Sequence, residues 1–201
     1  MQVMFVCTGN ICRSPMGELL LSRYLADTSI EVSSAGTKGL PGHPIDSSSA
    51  TLMSSVGIDS SAFRSRRLTR DMANATDLIL CFEASQRREI VTLAPAVVRR
   101  TFVITEFAAL CAYCADHGMV KGRTIQERLW SVAEAAPIVR PLLPPSPDIE
   151  DPHGRTFDVF CTVADETNRA LRTILNSMRK HAGAKIRPLA QPEWKQFTAT
   201  V

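Results

Sequence analysis

Cys7-Thr8-Gly9-Asn10-Ile11-Cys12-Arg13-Ser14-Pro15 follows the apolar run of residues 1–6, and the change of pattern between the two sets the architecture. The run has the length and composition of a buried strand. Ser14 reads as a helix N-cap and Pro15 as the first helical residue, with Met16, Leu19, Leu20, Tyr24 and Leu25 along an apolar face. A strand passing straight into a tight loop and a helix aims unpaired N–H groups and the positive end of the helix at the loop, which favours an anion there. The same field favours the thiolate form of Cys7. Arg13 adds a planar fork that can grip two phosphoryl oxygens, and Ser14 is close enough in sequence to hydrogen-bond the sulfur. Thr8, Gly9, Asn10, Ile11, Cys12, Arg13 and Ser14 are therefore the candidate phosphate-binding residues.

The Cys-x5-Arg spacing occurs a second time, from Cys81 to Arg87, again after an apolar stretch. That copy carries Glu83, which would set a carboxylate beside a bound anion, and it contains no glycine. The first copy has Gly9 for close backbone approach, Asn10 for a left-handed turn, and no acid between Cys7 and Arg13. Cys81 reads instead as a buried thiol at a strand end. A thiolate that displaces a phosphoryl group also needs an acid to protonate the departing oxygen. Asp151 is the candidate, because Pro152 holds it extended and out of the following helix.

Strands expected at 2–7, 30–33, 77–81 and 101–104 alternate with helical stretches. This predicts an α/β fold in which a four-stranded parallel sheet carries helices on both faces, with the phosphate loop between strand 1 and helix 1 at the carboxyl end of the sheet. A last long helix is expected over 156–181, with Val159, Val163, Thr167, Ala170, Ile174 and Met178 on one face.

These residues resemble the low-molecular-weight protein tyrosine phosphatases, which carry an N-terminal Cys-x5-Arg-Ser-Pro loop and a late Asp-Pro. The resemblance extends to Val32-Ser33-Ser34-Ala35-Gly36-Thr37, Pro44-Ile45-Asp46, Arg64-Ser65-Arg66-Arg67-Leu68-Thr69 and Asp77-Leu78-Ile79-Leu80, covering about residues 1–107 and 147–182. It implies that Cys7 is the nucleophile, Arg13 the clamp, and Asp151 the acid and then the base in hydrolysis through a phosphocysteine. It also implies that Asn10, Ser14 and Ser34 form the network that shapes the loop, and that Cys12 is a redox partner able to close a disulfide with Cys7. Ile11 stands where the arginine phosphatases of the family carry threonine, which favours phosphotyrosine. Leu40 and His153 replace aromatic residues common at the cleft wall, and Phe63 stands where a histidine is common.

The expected organisation is one phosphatase-like domain over residues 1-182, with an insert at about 108-147, and a tail over 183-201 in which Trp194 and Phe197 are docking candidates. Within the insert, Ile125, Leu129, Val132, Ala133 and Ala136 predict an amphipathic helix over 122–136. Pro137, Pro141, Pro144, Pro145 and Pro147 predict a stiff, non-helical lead toward Asp151. A helix at the cleft rim and one packed on the domain flank are both open readings of this insert. Cys111, Cys114 and His117 lack the further ligands a structural zinc site needs, so no metal and no cofactor is expected.

The net charge of +3 is mild. Without interleaved aromatics the arginine clusters give no basis for nucleic-acid binding, and no apolar run is long enough for a membrane span. Six cysteines without a signal peptide suggest a cytoplasmic protein with reduced thiols. The expected partner is a tyrosine-phosphorylated protein, and oligomeric state is not readable. Arginine dephosphorylation, thiol-dependent arsenate reduction through Cys81 or Cys161, and a non-enzymatic phosphoprotein reader or redox sensor remain the alternatives.

Overall fold

The computed structural model describes residues 1–179. Four parallel strands, β1 (Gln2–Cys7), β2 (Glu31–Gly36), β3 (Leu78–Cys81) and β4 (Thr101–Val103), lie in the order β2-β1-β3-β4. The sheet is covered on both faces because its central strands are apolar and buried at every position after Gln2. In β1, Val3, Phe5 and Cys7 point to one core, while Met4 and Val6 point to the other. In β3, Leu78 and Leu80 join the first group, and Ile79 and Cys81 the second.

The larger core lies under α1 (Arg13–Tyr24), α2 (Ser47–Ser55), α5 (Ile104–Asp116), α6 (Ile125–Val139) and α7 (Phe157–Arg179). The smaller one lies under α3 (Arg70–Ala75), α4 (Ala84–Leu93) and the 3-10 turn Pro95–Arg100, through Ala73, Ile90 and Val97. Helix α7 buries Val163, Thr167, Ala170, Ile174 and Met178 as its periodicity predicts, while Val159 is half-buried. Its Asn168 accepts a hydrogen bond from Tyr24 Oη, tying α7 to α1. The tail reading over 183-201 lies outside the described residues.

Three expectations need correction. Helix α1 begins at Arg13 with Cys12 at its N-cap, ahead of Ser14 and Pro15, because the Ser14 hydroxyl is turned toward Cys7 rather than toward the helix end. The insert boundary near residue 108 falls inside α5. That helix packs along α7, and its Phe107, Leu110, Cys111 and Cys114 are fully buried. Pro137 does not end a helix. It sits in the last turn of α6, where a missing N–H forfeits only one hydrogen bond, and a 3-10 turn continues to Leu142.

Helix α6 starts at a capping box. The Thr124 hydroxyl accepts from Glu127 N–H, and Glu127 accepts from the Thr124 N–H. Leu129, Val132, Ala133, Ala136 and Val139 form its buried face, which packs on α5. The structure thus favours the flank reading of this segment over the rim reading.

Close contact between α1 and the sheet depends on Gly17, where an added Cβ would meet the Phe5 ring at 2.6 to 3.0 Å. Gly17→Ala is expected to cost about 1–2 kcal/mol, as overpacking outweighs the better helix propensity of alanine. Urea denaturation should show a lower midpoint with an unchanged m-value.

Candidate active site

The loop between β1 and α1 is held by Asn10, the only described non-glycine residue with positive φ, at 56°. This left-handed turn costs least for asparagine and glycine, as the sequence suggests. Gly9 has no such φ, and its Cβ would meet only the flexible Ile11 side chain at 3.4 Å, so the protein itself does not demand glycine there. The close approach is at Gly36 instead, where a Cβ would lie 2.6 Å from Thr8 O and 2.9 Å from Asn10 N. Beyond β2 the chain continues alongside the loop, with Thr37 N–H donating to Cys7 O and Lys38 N–H to Thr8 O, both at 2.9 Å.

Asn10 is buried, and all its side-chain hydrogen-bonding capacity is directed. Its Oδ1 accepts from Arg66 N–H at 2.7 Å, which fixes the amide orientation. Its Nδ2 therefore donates to Ser14 Oγ at 2.9 Å and to Ser34 Oγ at 2.8 Å. Ser34 donates onward to Glu18 Oε2 at 2.5 Å, and the Arg66 guanidinium donates to Ser34 O. Burial raises the Glu18 carboxyl above its ordinary range, with Ser34 and Arg66 opposing.

With Asn10 donating into Ser14 Oγ, the Ser14 proton is left for Cys7 Sγ at 2.9 Å, with Ala35 O a longer alternative at 3.4 Å. Asn10 N–H also donates to Cys7 Sγ, at 3.2 Å. Two donors on one sulfur suit a sulfur anion.

Arg13 is 1% exposed and is clamped from three directions. Its Nη1 donates to Glu83 Oε1 at 2.5 Å and to Ile149 O at 2.9 Å, while Nη2 pairs with Asp151 Oδ2 at 2.8 Å. The guanidinium also stands 5.9 Å from the centre of the Phe82 ring. Its Nε, buried, has no hydrogen-bond partner among the described residues. A buried donor without a partner is costly unless a ligand completes it.

The acid loop is pinned just before Asp151. Ile149 is buried and donates its N–H to Phe82 O at 2.9 Å, and Asp148 Oδ1 accepts Ala84 N–H at 2.9 Å. The Asp151 side chain itself is 48% exposed.

A cleft of about 260 Å³ opens over the loop, lined by Cys7, Thr8, Gly9, Ile11, Cys12, Lys38, Leu40, His43, Asp151 and His153. The expected nucleophile, acid and wall residues thus meet in one place, with Arg13 beneath them. No residue of 108–147 lines the cleft, and of the six cysteines only Cys7 and Cys12 do. Burial, then Asp46, Cys7 and Asp151, pushes the Cys12 thiol well up, with Arg13 opposing. Cys81 is pushed up to about 12, chiefly by burial, as suits an inert strand-end thiol. Cys111 and Cys114 are buried in α5, and His117 stacks on Tyr113.

Sequence reasoning missed Glu83 and Gln86. Glu83 counted against the second Cys-x5-Arg loop as a phosphate site, and it is instead the fixed carboxylate on Arg13 of the first. Gln86 Nε2 donates to Glu83 Oε1 at 2.8 Å and to Thr8 Oγ1 at 3.2 Å, joining the two loops. Their signal lay in position: both follow β3, the neighbour of β1 in the sheet.

With this geometry in place, comparison with known proteins identifies the class. A sequence model of the low molecular weight phosphotyrosine protein phosphatases matches residues 2–116. The chain belongs to this family. It is 38% identical over 105 residues to the low molecular weight protein-tyrosine-phosphatase Etp of Escherichia coli K12, covering 52% of this chain and 70% of that protein. It is 41% identical over 104 residues to a probable low molecular weight protein-tyrosine-phosphatase, EpsP of Ralstonia solanacearum, with the same coverage of each. A crystal structure of a low molecular weight protein tyrosine phosphatase from T. tengcongensis superposes with a TM-score of 0.64 at 27% identity, covering 88% of this chain and 98% of that one.

Asn10→Ala removes three side-chain hydrogen bonds and leaves alanine at positive φ. The expected loss is about 2–4 kcal/mol of stability, with vanadate binding weakened as well. Thermal unfolding with and without vanadate measures both effects.

Proposed function

We propose that the chain hydrolyses phosphotyrosine in proteins, with Cys7 as nucleophile, Arg13 as clamp and Asp151 as general acid and base. The observation that carries this reading is the convergence on Arg13. A guanidinium with an unpartnered buried Nε lies beneath the cleft of Cys7, and its exposed partner is Asp151.

An arriving phosphate dianion takes the amides of residues 8–14 and the free donors of Arg13. In doing so it displaces Asp151 from the guanidinium, and the freed carboxylate takes up a proton from solvent. Glu83, held by Ser85 and Gln86, keeps Arg13 in place. The Cys7 sulfur attacks phosphorus, the bond to the phenolic oxygen breaks, and Asp151 donates a proton to that oxygen. Asp151, now a carboxylate, takes a proton from water. The water oxygen attacks phosphorus, the S–P bond breaks, and inorganic phosphate leaves with the thiolate restored.

Substrate choice rests on the wall. Ile11 and Leu40 offer apolar surface to a phenyl ring, and Asp151 is the one carboxylate among the residues that line the cleft. Lys38, His43 and His153 at the mouth favour acidic residues flanking the phosphotyrosine. The arsenate relay lacks a cysteine beyond Cys7 and Cys12 at the cleft. No helix among the described residues is long and apolar enough to cross a membrane, and all six thiols are free. A nucleophile that must stay reduced fits a cytoplasmic setting. We take residues 1-182 as the catalytic domain, with the inserted part of 108-147 as a structural flank.

Cys7→Ser is expected to abolish hydrolysis of an aryl phosphate, and Asp151→Ala to lower kcat by about 10²–10⁴-fold. Acid quenching during turnover should trap phosphate on Cys7, identified by mass spectrometry of the peptide. Faster hydrolysis of phosphoarginine than of a phosphotyrosine peptide would overturn the substrate assignment.

A further inference from the structure

The fold brings together three ligating side chains that lie far apart in sequence and that the phosphatase reaction does not use. Cys12 Sγ, a carboxylate oxygen of Asp46 and a ring nitrogen of His153 all lie within 4.8 Å of one another. Each comes from a different segment: Cys12 from the phosphate loop, Asp46 from the N-cap of α2, and His153 from the acid loop. Ser48 N–H occupies Asp46 Oδ1 at 2.9 Å, which leaves the second carboxylate oxygen for a ligand. Asp46 is also fixed through its backbone, whose N–H donates to Ile11 O at 2.9 Å. Neither Cys12 Sγ nor the His153 ring has a hydrogen-bond partner among the described residues.

A thiolate, an imidazole and a carboxylate are the donor set of Zn²⁺ rather than of Mg²⁺ or Ca²⁺. Zinc bonds of about 2.0–2.3 Å in tetrahedral geometry put neighbouring ligand atoms about 3.3–3.8 Å apart. Closing from within 4.8 Å requires a shift of about one ångström, and His153 is exposed on a loop next to Gly154, whose φ is +73°. Three protein ligands leave the fourth position to water.

We propose that Cys12, Asp46 and His153 form a reversible Zn²⁺ site that brakes the enzyme. As the Zn–S bond forms, the Cys12 thiol proton passes to solvent. The bound ion ties His153, two residues from Asp151, to the phosphate loop. Asp151 is then held away from the position it must take beside a leaving group, and the mouth of the cleft is occupied. Inhibition by zinc is therefore competitive with vanadate or inorganic phosphate. The sequence offered no hint of this set, since Cys111-x2-Cys114 drew attention to a pair that α5 buries.

The inhibitory part rests on the Cys7 chemistry proposed above, whereas metal binding does not, and the test separates them. The full chain is titrated with Co²⁺ alone, following the thiolate-to-cobalt charge-transfer absorption, and with Zn²⁺ alone by calorimetry. One equivalent is expected to bind. His153→Ala and Asp46→Asn should each weaken binding at least about tenfold, and Cys12→Ser should remove the charge-transfer band. Cys7→Ser, inactive under the reading above, should keep the band. Full-affinity binding by both His153→Ala and Asp46→Asn would overturn the site. So would a band that survives Cys12→Ser and disappears with Cys7→Ser, since the metal would then sit on the nucleophile.

Discussion

A guanidinium that is 1% exposed cannot stay charged inside a protein unless other groups are brought to it, and this requirement at Arg13 organises the site. Glu83 arrives from the loop after β3, while the Ile149 carbonyl and Asp151 arrive from the loop before α7. Three segments separated by up to 138 positions are thereby fixed around one cation. The order β2-β1-β3-β4 makes this possible by placing the carboxyl ends of β1 and β3 side by side. Truncating Arg13 would strand Glu83 as well as empty the clamp, so its loss acts on the fold and on the chemistry together.

The two carboxylates on that cation differ in what holds them. Glu83 is tied by Ser85 and Gln86 and is 28% exposed, whereas Asp151 is 48% exposed and its carboxylate otherwise accepts, among the described residues, only the His153 N–H. A dianion entering the loop competes with the looser of the two. In the proposed reaction, exchange at Arg13 couples substrate arrival to release of the acid, and Glu83 keeps the buried charge partly balanced throughout. The Asn10 network serves the other side of the loop. It orients the Ser14 hydroxyl and the Asn10 N–H toward Cys7 before substrate binds, so that little reorganisation of these two donors is left for the reaction itself.

The parts of this arrangement written in contiguous sequence were readable. The apolar strand leading to Cys7, the left-handed Asn10, and the Cys7–Ser14 pairing all depend on neighbours within a few residues. What escaped depends on distance or on competition. Ser14 has the chemistry of an N-cap, but the thiol and the Asn10 amide claim its hydroxyl, so the helix starts earlier. Helix α5 carries apolar residues around most of its circumference because it is covered by the sheet, α6 and α7, so no single stripe marked it. Pro137 is tolerated because it falls where the helix is about to end. Glu83 looked like an obstacle to one anion site, and only the sheet order shows that it serves the other.

Ile149 acts as a fulcrum. Its side chain is sunk in the core and its backbone is bonded on both sides, yet two residues later the Asp151 carboxyl is half in solvent, followed closely by a left-handed glycine. In the proposed reaction the acid therefore needs only a short swing of residues 150–154, with no helix or strand travelling alongside. If Asp151 is the proton donor, its exposed segment is expected to lose its working position on warming before the core around Ile149 melts.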